Sequence, residues 1–363
     1  MIEAKSYKKT FGLIAIDELL QSNFQRCSLP IVPIDQVAPN LHTNIYKLSA
    51  PEGDLFLKHY HDRMDIATAE YDNYQFFKGL PFVPKLLYRT LDMNKKSVIF
   101  AYEYIEGNDI HEEFTRKKKS GEPIIVNLGI QTVDQFYEMD ATLRKSSFKS
   151  SKTPWVLQSP VREGLLDSSE EIEFLGDYQV VMDKNEKTLK FFPGFYFDRN
   201  PRNVMYTHGW VMEVDYNVIE FTSPLFDLAK FLRNGTDIPF LTSIDSSAKY
   251  LARLLNVYNG QEEKQILQHA YSRQLQVSPL GAGSFEDFYL MFNYAAIHTH
   301  IFYLTKYAKM LKEGKGVSSN LLSRCTYHFS MLNKTIEELQ VFDDSINQIR
   351  VWAKKFISLG QSS

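Results

Sequence analysis

Three polar residues are spaced so that they could do chemistry together: Asp198, Asn203 and Asp215. They lie in the stretch FYFDRNPRNVMYTHGWVMEVDY, where two short apolar runs, VMY and WVMEV, flank Thr207-His208-Gly209. That pattern predicts a β-hairpin. Pairing VMY with VMEV brings Asn203 and Asp215 to the same end, and the preceding loop carries Asp198 there. Two carboxylates and one carboxamide supply hard oxygen ligands. Such a set suits magnesium and its phosphates, with one carboxylate left to accept a proton.

The stretch resembles the aminoglycoside phosphotransferase/choline kinase family, which has a protein-kinase-like fold. The family's catalytic loop, written HGDxHPxN, is matched by YFDRNPRN at Asp198, Pro201 and Asn203. Its metal-binding Asp falls on the next strand, where this chain has Asp215, and its Pro-containing run ending in Asp-Leu-Ala is matched by Pro224 and Asp227-Leu228-Ala229. The resemblance implies that Asp198 accepts or orients the acceptor proton and that Asn203 and Asp215 hold magnesium. It also implies that Asp227 anchors the loop from below without being a ligand. Tyr196-Phe197 depart from the family's His-Gly.

These residues need elements to position them. Asp54-Leu-Phe-Leu-Lys-His-Tyr60 alternates as a strand, with Leu55 and Leu57 facing one way and Phe56 and Lys58 the other. Next comes DIATAEYDNYQFFKGL, a helix that Asp65 is expected to cap and that Gly79 and Pro81 end. On it Ile66, Glu70 and Phe77 share a face. In kinases a strand Lys contacts the nucleotide phosphates and a helix Glu holds it by an ion pair. Lys58 and Glu70 fit those roles. The family often has glycine in the loop before this strand, but NLHTN at 40–44 has none. More of the phosphate contact then falls to Lys58. The strand SVIFAYEYIEG, residues 97–107, resembles the hinge between lobes, where an adenine would meet backbone groups from Glu103 to Ile105.

Composition bounds the rest. A chain of 363 residues holds two or three domain-sized units or one large two-lobed enzyme. A net charge of -3 gives no global field for nucleic acid or an anionic membrane. Two cysteines, Cys27 and Cys325, are too few for a disulfide framework. The N-terminus reads as neither signal peptide nor membrane span, so a cytoplasmic protein is expected. An amphipathic helix within residues 1–30 would place Ile16, Leu19 and Leu20 on one side, and IVPID and NIYKL read as strands. RKKKSGEP at 116–123 reads as a solvated loop, and a helix with Leu128, Phe136 and Leu143 follows. In 154–190, YQVVM and TLKFF look strand-like. Beyond Arg233 the chain reads as helical: SIDSSAKYLARLLNVY, EEKQILQHAYSRQL, a long run from Phe285, LLSRCTYHFSMLNKTIEEL and a last piece near Gln348. His298 and His300, two apart on a helix, point to different sides and do not share a metal. From Arg233 onward 14 basic residues face 11 acidic ones, which favours a neutral or anionic acceptor over a polycation.

The expected architecture is α+β and two-lobed. Residues 1–106 form a nucleotide-binding lobe with a small antiparallel sheet, and 107–363 form a larger, mainly helical catalytic and acceptor-binding lobe. The expected activity is transfer of a phosphoryl group from ATP, with magnesium, to a small-molecule hydroxyl. Asp198 is catalytic; Lys58, Glu70, Glu103 and Ile105 serve the nucleotide; Asn203 and Asp215 serve the metal. The rivals are a kinase-fold pseudoenzyme that binds without turnover and an atypical protein kinase. Against the second, a protein kinase of the serine/threonine class carries Lys two residues after the catalytic Asp, where this chain has Asn200. No nucleic-acid or membrane partner is expected, and the sequence leaves the oligomeric state open.

Overall fold

The structure, a computed structural model, describes residues 31–35, 43–48, 54–92, 94, 96–110, 113, 116–117, 120, 125–148, 168–199, 201, 203–216, 218–233, 260–278, 283–314, 318–339 and 343–361. The chain divides into two compact units. One is Met1–Asn108 with Met205–Val218, the other Asp109–Val204 with Ile219–Ser363. The expected helices within 1–30 and 243–258 lie outside the described residues, whereas the strand expected at IVPID is formed.

The first unit is built on a five-stranded antiparallel sheet with strand order β1-β2-β3-β5-β4. The strands are β1 (Ile31–Asp35), β2 (Thr43–Leu48), β3 (Leu55–His61), β4 (Leu86–Asp92) and β5 (Ser97–Glu103). β5 lies between β3 and β4, and six of its seven residues are buried, so SVIFAYE shows no exposed polar face. β4 is an edge strand, and its exposed Leu87 and Leu91 hide the alternation that would have marked it in the sequence. Helix α1 (Met64–Phe77) follows β3. Its N-cap is Arg63, not Asp65. The Asp65 carboxylate lies one residue inside the first turn, where it accepts from the Arg63 guanidinium at 3.1 and 3.2 Å and suits the positive end of the helix dipole.

A two-residue strand, β6 (Asn108–Asp109), follows β5, and the hairpin is formed by β8 (Val204–Thr207) and β9 (Trp210–Glu213). The turn between them has positive φ at both central residues, His208 at 47° and Gly209 at 87°. That is the mirror-image turn whose twist matches paired strands, and glycine adopts it without a steric penalty.

The second unit is mainly helical: α2 (Ile125–Lys145), α3 (Ser168–Phe191), α4 (Leu225–Arg233), α5 (Gly260–Val277), α6 (Phe285–Lys312), α7 (Ser318–Leu339) and α8 (Asp344–Gln361). It also contains a two-stranded antiparallel pair, β7 (Gly194–Tyr196) with β10 (Glu220–Thr222). The strands expected at YQVVM and TLKFF are not there; both runs belong to α3. The buried residues of α3 are Phe174, Tyr178, Val181, Asn185 and Thr188, which is helical spacing. Two of those five are polar, so an apolar count does not register the stripe, and the Val180-Val181 pair imitates a strand.

His298 and His300 on α6 do point to different partners. His298 Nδ1 meets Tyr178 Oη, and His300 Nδ1 meets His328 Nδ1 at 3.1 Å. Burial holds the imidazoles of His298 and His300 down at about 3, with the Lys230 and Arg233 cations respectively adding to it. His328 is likewise held well below the usual histidine value by burial, then by His300 and Arg324. In the unfolded chain all three titrate near 6.5. Above that pH neither state is protonated, so their neutral burial costs nothing. Between about 6.5 and 3 the unfolded chain binds the extra protons, and each lost imidazole costs about 1.4 kcal/mol of stability per pH unit. Asp227 and Asp140, both pushed up by burial, work in the opposite direction, but two carboxyls do not offset three imidazoles. The urea midpoint is therefore expected to fall steeply from pH 7 to pH 5. Equal midpoints at the two pH values would refute neutral burial of these rings.

Candidate active site

In the first unit Lys58 projects from β3, in register with Phe100 of β5. It is 6% exposed, which is unusual for a lysine. Its Nζ donates to both Glu70 oxygens at 3.1 Å and to Asp215 Oδ1 at 3.2 Å. The expected ion pair is thus formed, with Asp215 on the same ammonium. Burial by itself lowers the lysine value, but the Asp215 and Glu70 carboxylates outweigh it and hold Lys58 well above its ordinary value. Glu70 lies one helical turn after Ile66 on α1 and is 1% exposed. It also accepts from Tyr102 Oη at 2.8 Å and from Tyr60 Oη. A buried carboxylate with this many donors is fixed in place. Among Lys58, Glu70 and Asp215 the formal charge sums to one negative, so the cluster can attract a cation.

Asp215 follows β9 in a left-handed backbone, φ 79°. For a non-glycine residue that conformation is strained and persists only where its surroundings impose it. The restraint comes from α1: Asn73 Nδ2 donates to the Tyr216 carbonyl at 2.7 Å, and the Tyr74 and Phe77 rings pack on Tyr216 at 6.1 and 5.9 Å. Asn73 is three residues after Glu70, so one face of α1 fixes both Lys58 and the Asp215 segment. Sequence reasoning missed Asn73; its signal was a polar residue at helical spacing from a buried Glu.

At the end of β5 the Glu103 amide donates to the Lys85 carbonyl at 2.9 Å, and the Tyr104 amide donates to the Asp54 carbonyl at 3.1 Å. Ile105 lies just past these bonds, partly exposed. An adenine would therefore have to use the Glu103 carbonyl and the Ile105 amide, not the Glu103 or Tyr104 amides.

In the second unit Asp198 sits on the loop after β7, also left-handed, with φ 59°. Asp227, fully buried on α4, anchors this loop: its Oδ2 accepts the Phe197 amide and its Oδ1 the Arg199 amide, each at 2.6 Å. Burial pushes Asp227 up to about 7, against the pull of the Arg199 and Phe197 amides and of the Arg199 and Lys230 cations. Asn203 Nδ2 donates to the Asp198 carbonyl at 3.2 Å. Its amide hydrogens serve the loop, so its Oδ1 is the atom suited to a cation. Before the loop, Asp140 Oδ1 on α2 accepts the Phe195 amide at 2.7 Å. The chain passes so close at Gly194 that a Cβ there would meet Pro224 Cδ at 2.7 Å.

Two further residues touch Asp198. Tyr196 Oη donates to Asp198 Oδ1 at 2.8 Å, and Lys230 Nζ donates to that same Oδ1 and to the Tyr196 hydroxyl. The sequence reading did not include Lys230. Its signal was Asp227-x-x-Lys230-x-x-Arg233, three charges at three-residue spacing on LFDLAKFLR, a helix buried along its whole length.

The structure thus brings Lys58, Glu70 and Asp215 together in the first unit and Asp198 and Asn203 together in the second. Among the described residues no group of three or more His, Cys, Asp or Glu is placed to hold a metal ion. The donor chemistry nevertheless fits magnesium, which binds through one or two protein oxygens plus phosphates and water. No helix among the described residues is long and apolar enough to cross a membrane.

The sequence matches no protein-family model, and no curated protein matches it. Solved structures do match. The amicoumacin kinase hAmiN, in complex with AMP-PNP, Ca2+ and its ligand, superposes with a TM-score of 0.57 at 13% identity, over 94% of this chain and 99% of that one. A thermostable aminoglycoside phosphotransferase APH(4)-Ia with AMP-PNP and hygromycin B gives 0.54 at 11%, over 90% and 100%. A choline/ethanolamine kinase family protein from Mesorhizobium loti gives 0.53 at 11%, over 92% and 93%. The chain therefore has the protein-kinase-like α+β fold of the aminoglycoside phosphotransferases and choline kinases, with a small antiparallel sheet unit and a larger helical one.

Proposed function

We propose that this protein is an ATP-dependent phosphotransferase acting on a hydroxyl of a small molecule in the cytoplasm, with residues 1–106 as nucleotide lobe and 107–363 as catalytic and acceptor lobe. The observation that carries the reading is the buried Lys58 held by Glu70 with Asp215 on the same ammonium. A buried ion pair is seldom more stabilising than apolar residues of the same volume, so a functional role accounts for it better than stability does. The solved neighbours named as kinases of an antibiotic and of choline or ethanolamine support the small-molecule part of the reading.

In this reading Lys58 draws charge from the nucleotide phosphates while Glu70 fixes its Nζ. The Glu103 carbonyl and Ile105 amide hold the adenine. Asn203 Oδ1 and the Asp215 carboxylate would hold magnesium, which would neutralise phosphate charge. Asp198 orients the acceptor hydroxyl and takes its proton. The acceptor oxygen forms a bond to the terminal phosphorus as the bond to the β-phosphate oxygen breaks, and ADP leaves with that electron pair. Most of the rate enhancement would come from positioning and charge neutralisation. Acceptors without multiple positive charges suit the excess of basic over acidic residues after Arg233. A binding-only reading draws on one observation, the engagement of Asp198 by Lys230.

Magnesium-ATP at a hundredfold excess over its Kd is expected to stabilise the fold by about 2.7 kcal/mol, seen as a raised melting temperature. Asp215→Ala should remove most of the magnesium-dependent part. A melt that ignores millimolar ATP, with and without metal, would sink the kinase reading. A panel of hydroxyl metabolites scored for ATP consumption then separates enzyme from binding protein.

A further inference from the structure

Asp198 is exposed enough to meet an acceptor, with 39% of its side chain accessible, yet it is tied from behind by a lysine that is 5% accessible. Lys230 comes from α4, one turn beyond Asp227. Its ammonium bonds Asp198 Oδ1 and the Tyr196 hydroxyl, and the Tyr196 and Tyr303 rings lie 5.1 and 5.5 Å from it. Tyr196 closes the triangle by donating to the same Oδ1. Among the described residues both donors to the carboxylate fall on Oδ1.

Asp227 and Arg233 aside, the buried residues of α4 are apolar, and burying an ammonium among them costs far more than burying a leucine or methionine of similar volume. Packing alone does not account for a lysine at this place. Both bonds are charge-assisted because their acceptor is a carboxylate, but Lys230 alone of the two donors carries a full opposite charge, so it is the stronger restraint.

We propose that Lys230 is a positioning residue for the reaction: it locks the Asp198 carboxylate in one orientation, with Oδ1 held and Oδ2 presented to the acceptor hydroxyl. The inference rests on the phosphotransferase reading. It places a cation on α4, while the position two residues after Asp198 in the loop is the uncharged Asn200.

The test uses the full chain and transfer of the terminal phosphoryl group from magnesium-ATP to water, so that no acceptor need be identified. Displacing a reacting group by about 1 Å costs about 10²-fold, so Lys230→Met is expected to lower kcat by about that factor with KM for ATP unchanged. Lys230→Arg keeps the charge-assisted bond and should recover most of the loss. In the Asp198→Asn background Lys230→Met should cost almost nothing further in rate, because it acts through Asp198. Lys230→Gln, which keeps a donor and adds no apolar bulk, repeats the comparison should the Met variant fold poorly. Equal rates for wild type and Lys230→Gln would overturn the proposal. So would an additive loss, in which Lys230→Met lowers the rate by the same factor with Asp or Asn at position 198. A wild-type protein that binds ATP but never hydrolyses it above the metal-only background overturns the reading of function and this inference with it. Additivity with an active wild type overturns the inference alone.

Discussion

Asp198→Asn is expected to reduce turnover by about 10²–10⁴-fold, the range for a positioned acid-base group, while ATP affinity stays nearly unchanged. The backbone of the loop does not depend on the side chain that is changed. It is held by the two Asp227 bonds to the Phe197 and Arg199 amides and by the Asn203 bond to the Asp198 carbonyl. An amide oxygen can still accept from Tyr196 and Lys230, so the geometry should survive and only the charge and basicity are lost. Asp215→Asn makes the contrast. Asp215 lies on the Lys58 ammonium, so its neutralisation should weaken magnesium-ATP binding as well as turnover. Thermal shift with magnesium-ATP reads the binding part, and initial rates with a confirmed acceptor read the chemistry. Wild-type turnover by Asp198→Asn would show that this carboxylate takes no part, and the likeness would then extend to fold and nucleotide site alone.

Much of this arrangement was legible in the sequence because its signals are local. The hairpin is announced by two apolar runs around His208-Gly209, and the Lys58–Glu70 pair by a strand followed at once by a helix. The Asp227 anchor was implied by the resemblance of Pro224 and Asp227-Leu228-Ala229 to the family's run. What was not legible depends on contacts across distant segments or on stripes that mix polar and apolar residues. Helix α3 was hidden because Asn185 and Thr188 occupy two of its buried positions. The edge strand β4 shows apolar residues to solvent, and the strands of the β7–β10 pair are only three residues long each. Lys230 was missed because a charge in an apolar helix reads as solvent-facing until the helix is known to be buried on every side. The same misreading concealed Arg233, three residues further on.

Arg233→Met is expected to cost about 3–5 kcal/mol of unfolding free energy, because removing one partner of a buried pair leaves the other charge uncompensated. The Arg233 side chain has no accessible surface, and its guanidinium forks onto Glu263 at 2.5 and 3.0 Å. Its remaining hydrogens reach Asn293 Oδ1 at 2.7 Å, Thr335 Oγ1 at 3.1 Å and Glu338 Oε2 at 2.6 Å. The Phe292 ring covers it at 4.8 Å, and the Arg233 carbonyl accepts from Tyr327 Oη at 2.9 Å. One residue at the end of α4 thus joins α5, α6 and α7. Methionine fills similar volume but leaves Glu263, which is 4% exposed, without its cation. Lysine at 233 keeps the charge but cannot reproduce the planar fork, so Arg233→Lys should fall between wild type and Arg233→Met. Replacing both partners, Arg233→Met with Glu263→Met, should recover part of the loss, since the stranded carboxylate is then removed. Urea unfolding of the four proteins at pH 7.5 measures all of this. If the double variant is less stable than Arg233→Met by the full cost of a second independent mutation, the pair is not coupled and the loss comes from packing alone. Because α4 also carries Asp227 and Lys230, Arg233→Met should additionally loosen the loop of Asp198. Amide exchange at Phe197 and Arg199, whose N–H groups Asp227 protects, should then quicken beyond the change in global stability.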